Sequence, residues 1–143
     1  MILQFKKLHP EAKAPIYATE GAACFDITTV EAGRVPAYLS HTFPTGLAFE
    51  IPEGHVMLVF SRSGHGFRNG LRLSNAVGVI DSDYRGELMV KLHNDSPIGF
   101  EFEPGDRIAQ AMIFPIPVVH IEEAETLGDT ARGESGIGST GVK

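Results

Sequence analysis

The sequence is poor in cysteine, in basic excess, in long apolar runs and in helical periodicity. Cys24 is the only cysteine among 143 residues, so no intramolecular disulfide can form and no cysteine-based zinc site can be built. Twelve Lys and Arg against 18 Asp and Glu leave a net charge of −6 and a pI near 5.4. That is the wrong sign for a surface that neutralises polymeric nucleic acid. A small phosphorylated ligand needs only a few convergent cations and stays open. No apolar run approaches membrane-spanning length, and Met1 to Pro10 carries Lys6, Lys7 and His9 without the apolar core of a signal peptide. A cytoplasmic protein with no membrane partner is therefore expected. The six histidines (His9, His41, His55, His65, His93, His120) show neither H-x-x-x-H nor H-E-x-x-H spacing, which argues against a zinc centre.

What is present is a succession of short strands with turn residues between them. The hydrophobic fraction of 43% and charged fraction of 21% are those of an ordinary globular domain. Strands are expected at Leu3 to Leu8, Cys24 to Val30, Tyr38 to Phe43, Leu47 to Ile51 and Val56 to Phe60, the last buried on both faces. Ser61 to Asn69 reads as a loop or one short helical turn. Further strands are expected at Ala76 to Ile80, Leu88 to Leu92, Ile98 to Phe102, Ile108 to Phe114 and Val118 to Ile121, with turns at Asn94 to Pro97 and Pro104-Gly105. With no βαβ alternation, this pattern predicts an all-β sandwich, jelly roll or closed barrel. From Glu122 onward the composition turns acidic and then glycine-rich, which predicts a mobile tail unless it closes over something.

Three stretches carry the chemistry. Gly78-Val79-Ile80-Asp81-Ser82-Asp83-Tyr84-Arg85-Gly86-Glu87 places two aspartates, a phenol and a guanidinium between two apolar runs. On local signal alone it reads equally as a plain hairpin. Ser61-Arg62-Ser63-Gly64 is not a G-x-S-x-G nucleophile elbow, and an all-β chain lacks the strand-to-helix setting that motif needs. Gly133 to Thr140 is one residue short of a phosphate-binding P-loop: Ser139 stands where the lysine must be. A glycine-rich segment with hydroxyls and Arg132 can still wrap backbone N–H groups around an anion.

Together these pieces resemble the trimeric all-β dUTPases at all five of that family's ordered motifs. The matching segments are Ala22-Ala23-Cys24-Phe25-Asp26-Ile27, Ser61-Arg62-Ser63-Gly64, Asn75 through Glu87, Gly105-Asp106-Arg107-Ile108-Ala109-Gln110, and Arg132 to Gly141. The resemblance implies an all-β single domain, a distorted jelly roll close to a β-barrel, over residues 1–127, and a flexible glycine-rich C-terminal arm over residues 128–143. It implies hydrolysis of dUTP to dUMP and pyrophosphate, with Mg²⁺ held on the triphosphate. That reaction limits uracil entry into DNA and supplies dUMP for thymidylate synthesis. Asp81 would activate the water that attacks the α-phosphorus. Tyr84 would lie under the deoxyribose and exclude a 2′-OH. Asn75, Gly78, Val79 and Met89 would read the uracil edge, with Ile80 also binding substrate. Arg62, Ser63, Gly64, Gln110 and Arg132 would grip the phosphates, and Ile137, Gly138 and Ser139 would close over the nucleotide. Asp26 is a candidate for contact with a metal-bound water. The family further implies a homotrimer with active sites between subunits.

The sequence departs from the family pattern in places. Ile137 stands where an aromatic residue usually stacks on uracil, a loss of roughly 0.5–1.5 kcal/mol of stacking. Cys24 stands where glycine is frequent, and Ser61 where proline is. Two rival readings are a dCTP deaminase of the same fold, against which Asp81 and Tyr84 argue, and a non-catalytic jelly-roll binding module.

Overall fold

The structure is a computed structural model that describes residues 1–137, 139 and 141. The strands are β1 Gln4–Lys7, β2 Ile16–Tyr17, β3 Phe25–Thr28, β4 Gly33–Val35, β5 Ser40–Pro44, β6 Leu47–Glu50 and β7 His55–Phe60. The helix α1, Ser63–Asn69, follows, and then β8 Leu71–Leu73, β9 Val77–Ile80, β10 Met89–Asn94, β11 Phe100–Phe102 and β12 Arg107–Pro115. All pairings are antiparallel. The principal sheet has the order β2-β3-β12-β7-β9, a second has β5-β10-β8, and β1-β6 and β11-β4 form pairs. Among the described residues no helix is long and apolar enough to cross a membrane.

The core forms where alternating side chains of these sheets meet. In β10, Val90 and Leu92 are buried while Met89 and Lys91 are exposed, the two-residue period of a half-buried strand. Ile27, Val35, Phe43, Leu47, Met57, Leu71 and Ile108 are completely inaccessible, and each such side chain contributes about 1.5–3 kcal/mol of burial. Gly46 (φ 66°), Gly54 (φ 75°) and Gly105 (φ 90°) make the turns into β6, β7 and β12.

The structure revises four sequence expectations. Val77–Ile80 and Met89–Asn94 are strands but not partners: β9 pairs with β7, whereas β10 pairs with β5 and β8. Residues 81–88 therefore cross between sheets. Ser61 to Asn69 contains two helical turns, ended by Gly70 in the left-handed region, whose N–H donates to Gly66 O. In β7, Met57 and Val59 are buried but Leu58 and Phe60 only partly so. Finally, Val118 to Ile121 form no strand. Pro115 and Pro117 lack N–H donors there, the β12 ladder ends at Pro115, and Val118 is 99% exposed.

Candidate active site

The motif around Asp81 is built on an open sheet edge. β9 is the outer strand of its sheet, so its backbone groups facing away from β7 have no ladder partner. Because the chain crosses away instead of closing a hairpin, space is left between β9 and β10. A cavity of about 290 Å³ lies there, with Asn75, Gly78, Val79, Ile80 and Met89 in its wall. A second, of about 260 Å³, is lined by Val79, Ile80, Asp81, Tyr84, Glu87 and Met89. The residues expected to recognise a nucleoside thus line two cavities that share Val79, Ile80, Leu88 and Met89. Ala76 has φ 60°, a left-handed conformation unusual for a residue with a Cβ, directly after Asn75.

The loop beyond β9 is short and pinned. Tyr84 N–H donates to Asp81 O at 3.2 Å, and Tyr84 Oη donates to Glu87 O at 3.0 Å. The Asp81 side chain is exposed and makes no hydrogen bond or ion pair among the described residues, so its carboxylate is free to accept from a water or a hydroxyl. Leu88 N–H donates to Leu47 O, the buried Thr45 hydroxyl donates to Leu88 O at 2.7 Å, and Gly46 N–H donates to Glu87 Oε1 at 2.7 Å.

A second group of residues expected at the site, Arg62 and Gln110, neighbours Asp26. This carboxylate is 7% exposed, and it receives Arg62 Nε on Oδ1 and an Arg107 guanidinium N–H on Oδ2, both at 3.0 Å. The register places Asp26 beside Gln110, and Gln110 Nε2 donates to Ser61 O at 3.0 Å. Ser61 Oγ in turn accepts from Leu73 N–H. Ser63 and Gly64 open α1, where the first N–H groups have no intrahelical acceptor. His65 Nε2 donates to Arg107 O at 2.8 Å, so the start of the helix is tied to β12. Burial, and secondarily the Asp26 carboxylate, raise the Cys24 thiol above its ordinary pKa.

Neither of these two cavities is lined by Arg62, Ser63, Gly64, Gln110 or Arg132. Within one chain the residues expected at the nucleoside and those expected at the phosphates thus line no common cavity of these two. Arg132 lies on the exposed arm, where its guanidinium donates to Ser135 O and Gly136 O. Ile137 is fully exposed, and Ser139 N–H donates to Gly136 O. Gly138 lies outside the described residues.

A family model described as dUTPase matches residues 10–141. The chain belongs to the dUTPase family. Membership makes it an enzyme of nucleotide metabolism. Curated relatives include the deoxyuridine 5′-triphosphate nucleotidohydrolase of Nautilia profundicola, 45% identical over 141 residues and covering 99% of both chains. That of Helicobacter hepaticus is 44% identical, covering 99% of this chain and 90% of its own. Among solved structures, Staphylococcus bacteriophage 80alpha dUTPase with dUPNHPP superposes at a TM-score of 0.90 with 29% identity, covering 99% of each chain. The all-β jelly-roll-like fold expected of a dUTPase is the fold observed.

The sequence gives Thr45 and Gly46 no role in this dUTPase beyond a turn, and Glu87 and Arg107 none beyond membership of a motif. For Thr45 and Gly46 the available signal was a Pro-Thr-Gly turn, indistinguishable from a simple connection.

Proposed function

We propose that this dUTPase splits Mg²⁺-bound dUTP into dUMP and pyrophosphate, with Asp81 as the general base for a water that attacks the α-phosphorus. The observation that carries this reading is the Asp81 carboxylate, uncommitted on a pinned loop in the wall of a nucleoside-sized cavity. An aspartate so placed can align a water and accept its proton, a contribution of about 10²–10⁴-fold. Tyr84 on the same loop would underlie the sugar. Asn75 and the free edge of β9 would meet the uracil edge, where cytosine leaves polar groups unpaired. The product dUMP would feed thymidylate synthesis, and removal of dUTP would keep uracil out of DNA.

The phosphates fall to Arg62, Ser63, Gly64, Gln110 and Arg132. Because these residues line neither of the two cavities within one chain, the reading is a homotrimer whose sites combine residues from different subunits, with the arm of residues 128–143 closing over the nucleotide. The long exposed segment from Ile116, including Val118, Ile121 and Leu127, supports contact with a second copy.

Mg²⁺ enters as part of the substrate and supplies charge neutralisation on the triphosphate. The donor set fits an ion carried in this way: among the described residues no three His, Cys, Asp or Glu side chains cluster as a metal cage. Asp26 fits a ligand role poorly, since each oxygen already holds a guanidinium. Its geometry supports a role in fixing Arg62.

Asp81→Asn is the test. Calorimetry should show dUTP binding largely retained, while turnover falls by at least about 10²-fold. Turnover like the wild type would refute the base assignment.

A further inference from the structure

Glu87 closes the motif around Asp81 and has no part in the chemistry proposed above, yet both its side chain and its backbone are engaged. Its carboxylate accepts from Gly46 N–H at 2.7 Å, while its carbonyl accepts from Tyr84 Oη at 3.0 Å. We infer that Glu87 is a positioning residue for sugar selectivity, linking the ring of Tyr84 to the buried Thr45-Gly46 turn. The inference rests on the reading of Tyr84 as the group beneath the deoxyribose.

The turn is a firm anchor. Thr45 is completely buried, and its hydroxyl holds Leu88 O at 2.7 Å while accepting from Leu47 N–H at 3.2 Å. Gly46 has φ 66°, and a Cβ there would meet His9 Cβ, Ala12 Cβ and Val30 Cγ1 at 2.8–2.9 Å. The backbone at Gly46 is thus fixed on several sides, and its N–H presents a donor at a set place. Tyr84 itself is 46% exposed, so packing alone does not hold its ring. Its hydroxyl bond to Glu87 O does, and Gly86 leaves the space for it: a Cβ at Gly86 would collide with the Tyr84 hydroxyl and lie 2.6 Å from Cζ. A ring that excludes one additional hydroxyl must be held firmly, because small displacements admit the larger sugar.

The experiment compares kcat/KM for dUTP and UTP in the wild type and four variants. Glu87→Ala should lower the dUTP/UTP ratio by about 10-fold, chiefly by raising activity on UTP, the scale of one charge-assisted hydrogen bond. Glu87→Gln keeps an acceptor for Gly46 N–H and should hold the ratio within about twofold. Tyr84→Phe opens the same bridge from its exposed end and should fall in the same direction as Glu87→Ala, which decides the matter if Glu87→Ala does not fold. A ratio like the wild type in Glu87→Ala, or in Tyr84→Phe where the former is unfolded, overturns the inference if Tyr84→Ala loses selectivity. If Tyr84→Ala keeps the wild-type ratio, the sugar reading fails, and the role of Glu87 with it.

Discussion

The two halves of the site solve opposite electrostatic problems. Around Asp26, charge is compensated before any ligand arrives: one nearly buried carboxylate takes two guanidiniums, and the partly exposed Arg62 is oriented by it. Around Asp81, the loop is held by backbone groups, Thr45 and Glu87, while the carboxylate that faces the cavity carries no partner among the described residues. A group meant to bind a polyanion works best when it is oriented in advance, since guanidinium donors already aimed at their target cost nothing to reorganise. A group meant to take a proton must keep its lone pairs available. In the proposed site, the cationic half would be preset by ion pairing and the basic half by geometry alone.

Two changes probe the contrast, the larger first. Ending the chain after Leu127 leaves the groups around Asp26 and Asp81 in place and removes Arg132 with the arm, because the last strand stops at Pro115. The truncated protein should keep its fold by circular dichroism but lose about 10²-fold or more in kcat/KM, the loss expected when a closing segment no longer positions the substrate. A fully active truncation would show that the groups around Asp26 and Asp81 suffice without Arg132 and the arm. Asp26→Asn removes the charge on which both guanidiniums rest. It should destabilise the protein by about 1–3 kcal/mol in urea unfolding, reduced from the fully buried case because Arg62 and Arg107 are partly solvated. KM for dUTP should rise by about 3–10-fold with a smaller change in kcat, as ground-state grip is lost. Unchanged KM would break the claim that Asp26 presets the phosphate half.

Much of this arrangement was legible in the sequence, and the remainder shows where such reading stops. The strands fell where β-branched and apolar residues alternate between Gly and Pro, since burial on one face dictates that period. The order of motifs brought Asp81 and Tyr84 to one cavity and Arg62 and Gln110 to one neighbourhood. Partner choice was not legible. Two apolar runs flanking a polar turn look the same whether they pair with each other or cross between sheets, and it is Thr45, Gly46 and Leu47, some forty residues upstream, that capture the chain after Gly86. Asp26 illustrates a second limit: a lone aspartate on a strand gives no sign that Arg107, 81 positions away, will reach its second oxygen. The expected strand at Val118 to Ile121 failed for a local reason, since Pro115 and Pro117 lack N–H donors where the β12 ladder would have to continue.

The most direct measurement is pyrophosphate release from dUTP, dCTP, dTTP and UTP by the intact protein in the presence of Mg²⁺. The account predicts rapid release from dUTP, with kcat/KM for each of the others lower by at least about 10²-fold, the discrimination expected when buried polar groups are left unpaired or a sugar hydroxyl is excluded. Comparable release from UTP, or ammonia liberated from dCTP, would contradict it.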